Sequence, residues 1–305
     1  MIDMSCCDMK DGPRCGVAQT VKTITVIGGL GVVGSALVKY LKLFGHDVLI
    51  NDVKLDPATG VTLKHQFEKS DMVFVCVPTP SLEDGSIDLS YVAKVTHELA
   101  KIAQVVKKTP RIIYKSTMVP GSTQKMEDIF ETYGINPLIA YSPEFLRQKH
   151  AFADMLEPSR IVIGSPNEKF ADEVMDLFSE TDASKFLFLD YEHAEFVKYY
   201  ANCYYAARIS FFNQMKQYAD IMGCDHDAIV QTIVADESVG IHGSNPTGQA
   251  YGGHCLIKDL DAIIRFGEQN KIRSDCLLKA VKRINTQMEA DDKYKDLKLD
   301  KWVEN

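Results

Sequence analysis

The stretch that most limits what this chain can fold into is Thr23-Ile24-Thr25-Val26-Ile27 leading through Gly28 into Gly29-Leu30-Gly31-Val32-Val33-Gly34. A short apolar, β-branched run of this kind reads as a strand buried on both faces. A helical pattern from Ser35 to Phe44 follows, Gly45 ends it, and the residues from His46 to Asp52 read as a second strand. A GxGxxG alone is a weak signal. Between a strand and a helix, with an acid closing the next strand, it is the arrangement a dinucleotide needs. The glycines permit a tight turn and bring a pyrophosphate close to a helix N-terminus, whose unbonded N–H groups attract anions. A glycine-rich turn without a ligand carries the same letters, but the strand-to-helix context and the acid weigh against it. Gly29, Leu30, Gly31, Val32, Val33 and Gly34 are therefore candidate cofactor contacts. Asp52 is placed to take the adenosine ribose hydroxyls and to repel a 2′-phosphate, which favours NAD over NADP.

Further strands are expected over Asp71–Val77, Arg111–Lys115, Leu138–Tyr141, Arg160–Gly164 and Lys185–Leu189. Helical patterns lie between them at Leu89–Val106, Gln124–Tyr133 and Asn167–Phe178. The interval from Asp52 to Asp71 leaves little room for a full crossover. The alternation predicts an α/β fold: an N-terminal Rossmann-type doubly wound parallel sheet over residues 21–192. Ligands bind beyond the carboxyl ends of parallel strands. Thr79, Thr117 and Glu144 all fall at such ends, although each would serve equally as a loop cap.

From His193 to Met222 a single helical pattern runs without Gly or Pro, reaching roughly 45 Å at the usual rise per residue. It founds an all-helical second domain, residues 193–290, and offers a contact for a homodimer. Most of its apolar residues read as core. Lys198 and Asn202, however, lie four apart on one face. They fit a solvated edge, or a cation and a neutral donor aimed at a developing oxyanion. A helix over Asp225–Ala235 precedes a long glycine-bearing loop, Asp236–Gly253, and helices over Asp259–Gln269 and Ser274–Met288 complete the domain. Loops of that length in compact domains are usually functional.

The loop ends at Tyr251-Gly252-Gly253-His254-Cys255-Leu256-Ile257-Lys258-Asp259. Gly-Gly-x-Cys opening into a helical pattern would place Cys255 at a helix N-terminus, with Lys258 one turn on; both features favour the reactive thiolate. A glycine turn ahead of a buried, inert cysteine has the same pattern, since free cysteines are among the most buried residues.

Bulk properties remove several alternatives. A formal charge of −8, with no basic block, argues against nucleic acid. No apolar run approaches the roughly 18 to 20 residues of a membrane span. The 8 cysteines are scattered without CxxC spacing, which reads as reduced thiols and a cytoplasmic setting. Cys6, Cys7 and Cys15 lack a histidine partner and fit no zinc pattern, so no metal is expected. Residues 1–20 read as a disordered extension and residues 291–305, with Trp302, as a charged tail.

Taken together, the motifs resemble the UDP-glucose/GDP-mannose dehydrogenase family. The matching stretches come in the family's order over residues 22–288. They are the Gly29 fingerprint, Val77-Pro78-Thr79-Pro80, Lys115-Ser116-Thr117, Ser142-Pro143-Glu144-Phe145-Leu146-Arg147 and Pro158-Ser159-Arg160-Ile161. Glu195-Phe196-Val197-Lys198-Tyr199-Tyr200-Ala201-Asn202, Phe212-Asn213 and the segment Gly252–Asp259 follow. Short bacterial members are the most similar, from Ala207-Arg208 through Asn213 to Tyr218. The resemblance implies oxidation of the C6 alcohol of a nucleotide sugar, UDP-glucose first among them, to a carboxylate with two NAD in succession. It implies Cys255 as the nucleophile that holds the intermediate aldehyde as thiohemiacetal and thioester, Lys198 and Asn202 as oxyanion stabilisers, and Glu144 as acid/base. Thr117 and Asp259 would position the hydrolytic water or the nicotinamide end. Cofactor contacts are further implied at Thr79, Thr117 and Gln148. Substrate contacts are implied at Glu144, Phe145, Leu146, Arg147, Lys198, Asn202, Asn245, Gly252 and Lys258.

The chain also departs from that pattern. It stops where the family's second Rossmann-like domain would begin, so a separate chain supplying that domain is a possible partner. Gln148 stands where a second glutamate is usual, and Ser238 where many members place an arginine. The segment from Asp52 to Asp71 is short, and the loop over residues 245–250 carries one extra residue. Two other readings stay open at this point. One is a two-electron dehydrogenase of the β-hydroxyacid type; the other is a dimerising, NAD-binding remnant completed by a partner chain.

Overall fold

The structure is a computed structural model that describes residues 20–55, 62–240, 249–252, 254–272 and 277–290. The expected extension over residues 1–20, the tail with Trp302, and Asn245 fall outside the described residues, apart from Thr20. The chain divides into two units. The first comprises residues up to Pro78, Tyr91–Thr117 and Gly121–Ala194; the second takes Thr79–Ser90, Met118–Pro120 and everything from Glu195.

The first unit holds seven strands: β1 (Thr23–Ile27), β2 (Asp47–Asn51), β3 (Met72–Val75), β4 (Arg111–Tyr114), β5 (Leu138–Tyr141), β6 (Ile161–Gly164) and β7 (Phe186–Leu189). They form one sheet in the order β2-β1-β3-β4-β5-β6-β7. Helices α1 (Val32–Leu43), α2 (Leu63–Lys69), α3 (Ser90–Val106), α4 (Ser122–Thr132), α5 (Ala151–Leu156) and α6 (Glu168–Asp176) alternate with them. This is the expected doubly wound class. Strand order reverses at β1, which lies between β2 and β3, and the switch point falls beyond Ile27 and Val75.

β1 and β3 are buried along almost their whole length, as their apolar runs require. Ile24, Val26, Phe74, Ile113 and Ala140 of the sheet pack with Leu37 and Leu41 of α1 and Phe170 and Val174 of α6. One strand departs from the all-parallel expectation. β6 meets β5 antiparallel through the single pair Tyr141↔Gly164, then runs parallel to β7. Side chains serve β5 where that ladder is short: Ser165 Oγ donates to the Ile139 carbonyl at 2.7 Å and Tyr191 Oη at 3.3 Å.

Two helix boundaries differ from the sequence reading because of capping. α1 starts at Val32, inside the glycine motif, since Gly31 itself is the N-cap. The interval between Asp52 and Asp71 does contain a helix, α2, whose N-cap Thr62 accepts from the His65 N–H.

The second unit is helical. It carries α7 (Tyr191–Met222) from Glu195 onward, α8 (His226–Val234), α9 (His254–Gln269) and α10 (Leu277–Ala290). Cys203, Ala206 and Ile209 of α7 pack with Leu260 and Ile264 of α9, Val281 of α10 and Tyr251. Ile87, from the short bridged segment Ser81–Ile87, packs with Tyr199 and Ala262. Arg265 on α9 pairs with Asp84 of that segment at 3.2 Å. Among the described residues, no helix is long and apolar enough to cross a membrane.

Candidate active site

In the first unit the candidate residues gather around the ends of β1, β2, β4 and β5. Gly28, which the sequence reading passed over, has φ +79, and a Cβ there would lie 2.5 Å from the Cys76 carbonyl oxygen beyond β3. Only glycine turns the chain this tightly at the switch point. A Cβ on Gly34 would fall on the Gly28 carbonyl oxygen, so the last glycine lets α1 seat against the turn. Gly31 caps α1 without a side chain, and no acid stands in the first turn. The free N–H groups there fit a pyrophosphate. Asp52 is tied to this loop. Its Oδ2 accepts from the Leu30 N–H at 2.9 Å and its Oδ1 from the Lys54 N–H at 3.0 Å. Leu30 and Val32 are exposed beside this turn.

Beyond β4 and β5 lie the polar residues. Lys115 is buried and its Nζ donates to the Ser142 carbonyl at 2.9 Å. Ser116 Oγ donates to the Val77 carbonyl at 2.7 Å, and Thr117, half-buried, follows. Glu144 is 9% exposed and its Oε2 accepts from the Leu146 N–H at 2.6 Å. Phe145 lies under the Arg160 guanidinium at 3.9 Å. Arg147 is exposed and bound to Asp154, Nη2 to Oδ1, at 2.6 Å. That bond holds its guanidinium above the ordinary value. Gln148 begins an exposed helical turn. Burial pushes the Cys76 thiol, near Lys115 and Glu144, up to about 12 against the pull of Lys115, which disfavours a thiolate there.

The second unit assembles the other candidates. Lys198 and Asn202 are both buried on α7, at 3% and 6% exposure, which removes the solvated-edge reading. Asn202 Nδ2 donates to Asp259 Oδ2 at 2.6 Å, and Lys258 Nζ to Asp259 Oδ1 at 2.6 Å. Asp259 has no exposure at all. α9 begins at His254, earlier than the expected Asp259, so Cys255 is its second residue and stands exposed in the first turn. Cys203, the residue after Asn202, is pushed up to about 12 by burial and then by Asp259. Of the described thiols in this unit, Cys255 is therefore the exposed one at a helix start, while Cys224 is exposed in the turn after α7. Thr79 is buried and belongs to this unit. Gly252 is half-buried on the segment entering α9.

Glu195, to which the sequence reading gave no role, is fully buried on α7 three residues before Lys198.

Comparison with known proteins identifies the family. The NAD-binding domain of the UDP-glucose/GDP-mannose dehydrogenase family matches residues 57–182, and the family's central domain matches residues 192–287. A UDP-glucose 6-dehydrogenase of Rickettsia prowazekii is 32% identical over 224 residues, covering 72% of this chain and 50% of that protein. One from Rickettsia bellii is 30% identical over 295 residues, covering 86% of this chain and 66% of its own length. The chain thus spans half to two-thirds of these relatives. A UDP-glucose dehydrogenase structure from Pyrobaculum islandicum superposes with TM-score 0.83 at 29% identity, over 90% of this chain and 70% of that one. With two consecutive domains of one family matched in order, a glycine turn fit for NAD and a buried Lys198/Asn202 face, the chain belongs to the UDP-glucose/GDP-mannose dehydrogenase family.

Proposed function

We propose that the protein oxidises the C6 alcohol of a nucleotide sugar, UDP-glucose first among them, to the uronate in two NAD-dependent steps. The observation that carries this reading is the buried Asn202–Asp259 bond, joined by Lys258, one turn along α9 from the exposed Cys255. NAD, when bound, supplies the acceptor for each hydride. The chain's residues supply the rest. Glu144 takes the proton of the C6 hydroxyl as the aldehyde forms, its carboxylate kept in place by the Leu146 N–H. The Cys255 thiolate then adds to the aldehyde carbon, and the new oxyanion is stabilised by Lys198 and the Asn202 amide. Loss of the second hydride leaves a thioester. Water cleaves it to the carboxylate and restores the thiol; Thr117 and Asp259 are the residues this reading assigns to the water or to the nicotinamide end.

The first unit would hold the cofactor through Gly29–Gly34, Asp52 and Gln148, with Thr117 toward the nicotinamide end; Thr79, of the second unit, is a further cofactor contact in this reading. Phe145, Leu146, Arg147, Asn245, Gly252 and Lys258 would contact substrate. A two-electron β-hydroxyacid-type reaction would leave Cys255 without a task.

A second copy of the chain is the partner this reading assigns to α7. Phe196, Tyr200, Tyr204, Phe211, Met215, Tyr218 and Met222 recur every three, four or seven residues and are all exposed. Apolar stripes of that extent on one helix face mark interaction sites.

A substrate panel of UDP-glucose, GDP-mannose and UDP-N-acetyl sugars, with NADH and acid both counted, tests the assignment. Two NADH and one uronate per sugar support it; Cys255→Ser should then abolish acid formation while NAD affinity stays within about threefold. Unchanged acid production in that variant rules out Cys255 as nucleophile.

A further inference from the structure

The segment that enters α9 is held by two asparagines to which the proposed reaction gives no role. Gln249 to Gly252 belong to no helix or strand, yet Gln249 is 7% and Tyr251 3% exposed. Buried backbone groups outside regular structure need partners from elsewhere. Asn213 of α7 supplies one: its Nδ2 donates to the Gln249 carbonyl at 2.6 Å. Asn285 of α10 supplies two. Its Oδ1 accepts from the Tyr251 N–H at 2.7 Å, and its Nδ2 donates to the Tyr251 carbonyl at 3.2 Å. A primary amide carries a donor and an acceptor in one plane, so Asn285 pairs with Tyr251 as a neighbouring strand would. Both asparagines are themselves buried, at 1% and 5% exposure. The Tyr251 ring is fixed in the same core, against Cys203, Leu260 and Val281.

We propose that Asn213 and Asn285 are positioning residues for the nucleophile. They fix the backbone of residues 249–252, and through it the start of α9 and the placement of Cys255 in its first turn. The inference rests on the reading of Cys255 as nucleophile for its functional meaning, but the anchoring itself is readable without turnover. Tyr251 is only four residues before Cys255, so freedom at Tyr251 is freedom at the helix start. A helix terminus stabilises charge only within its first turn. Displacing Cys255 from that position lowers its thiolate fraction and its rate of attack.

The test uses the whole chain with NAD present. Hydrogen exchange on the native protein should show the Tyr251 amide protected like the interior of α9, despite its lying outside any helix. In Asn285→Ala that protection should vanish. The midpoint of the pH profile for iodoacetamide alkylation of Cys255 should move up, with about a threefold slower rate below the midpoint. Cys224, exposed after α7, is the internal reference and should not change. Asn213→Ala should give a smaller shift of the same sign, because it removes one bond of the three. A Tyr251 amide that exchanges freely in the native chain overturns the proposal, as does a folded Asn285→Ala with an unaltered Cys255 profile. Should Asn285→Ala fail to fold, the native exchange measurement and Asn213→Ala decide. Failure of the nucleophile reading is a separate result: acid formation that persists in Cys255→Ser.

Discussion

Asn202 on α7 donates its Nδ2 hydrogen to Asp259 Oδ2 on α9 across 2.6 Å, and both side chains are buried. The two residues are far apart in sequence, so this bond is made only when the second unit packs. A carboxylate without solvent is tolerable when its oxygens are bonded and a cation lies beside it. Lys258 meets the second oxygen from its own helix at 2.6 Å. That bond commits one N–H of the Asn202 amide to Asp259 and fixes the plane of the amide.

Asp259→Ala should therefore be costly. It leaves the Lys258 ammonium, itself only 16% exposed, without its carboxylate. The expected loss is about 3 to 5 kcal/mol of stability, the range for breaking one side of a buried ion pair. Urea unfolding of the variant measures it, and a loss under about 1 kcal/mol would show the pair to be well hydrated.

The fold was legible where burial and backbone geometry speak in the same letters. Thr23–Ile27, β-branched and buried on both faces, is β1 residue for residue, and Leu138–Tyr141 is β5. Periodicity places helices but says little of their caps. Gly31 caps α1 within the glycine motif, and a glycine cap leaves no periodic trace; α9 begins at His254, ahead of the apolar periodicity that starts near Asp259. The antiparallel meeting of β5 and β6 depends on where the chain returns, which no local pattern records. Within the site, Lys198 and Asn202 were visible by their spacing, whereas the Asn202–Asp259 bond was not. Asn285 was hidden for a related reason: a lone asparagine in a charged helical pattern reads as surface, and only packing shows it turned inward. Arg147, expected on the substrate, is bonded to Asp154, a nearby acid that the motif did not flag.

Asp52 carries a prediction about cofactor choice. Its carboxylate closes β2 and braces the Leu30 N–H, so it has a fixed position and a full charge to set against a 2′-phosphate. NAD should bind more tightly than NADP by about 1 to 3 kcal/mol. Asp52→Asn keeps an acceptor for Leu30 but removes the charge, and the preference should fall to about parity. Calorimetry with both cofactors is the check; equal affinities in the native chain would remove Asp52 from the ribose.

His46 predicts an acid-side loss of stability. It is 5% exposed and its Nδ1 accepts from the Lys22 N–H at 3.2 Å, a bond that only the neutral ring can make. Burial, with Lys22 adding to it, lowers its value below the ordinary 6.5. Above pH 6.5 neither folded nor unfolded chain protonates the ring, and the contribution is complete. As pH falls below that value the unfolded chain takes up the proton first, so stability drops until the pH reaches the lower folded value. His226, lowered by burial and then by Lys216, acts in the same direction. Urea midpoints measured downward from pH 7 should decline, and His46→Gln should flatten the decline without abolishing it.

The glycine motif separates folding from cofactor binding, and two substitutions should show it. At Gly34 an added Cβ would land on the Gly28 carbonyl oxygen and lie 2.9 Å from Gly29 Cα. α1 must then lift from the turn that Leu37 and Leu41 anchor in the core. Gly34→Ala should lose about 1 to 3 kcal/mol of stability, as overpacked cores do, and NAD affinity with it. Gly31 differs. Its φ of −74 suits any residue, and an added Cβ would meet only the Gly28 carbonyl oxygen, at 3.3 Å. Gly31→Ala should therefore fold with a loss of no more than about 1 kcal/mol, the cost of alanine at a helix N-cap with one close carbonyl contact. Its methyl would stand at the N-terminus of α1, where the pyrophosphate must come against the backbone. NAD affinity should fall at least about tenfold, read by calorimetry beside a urea titration of each variant. Parallel losses of stability and affinity in both variants would show that the motif serves packing alone.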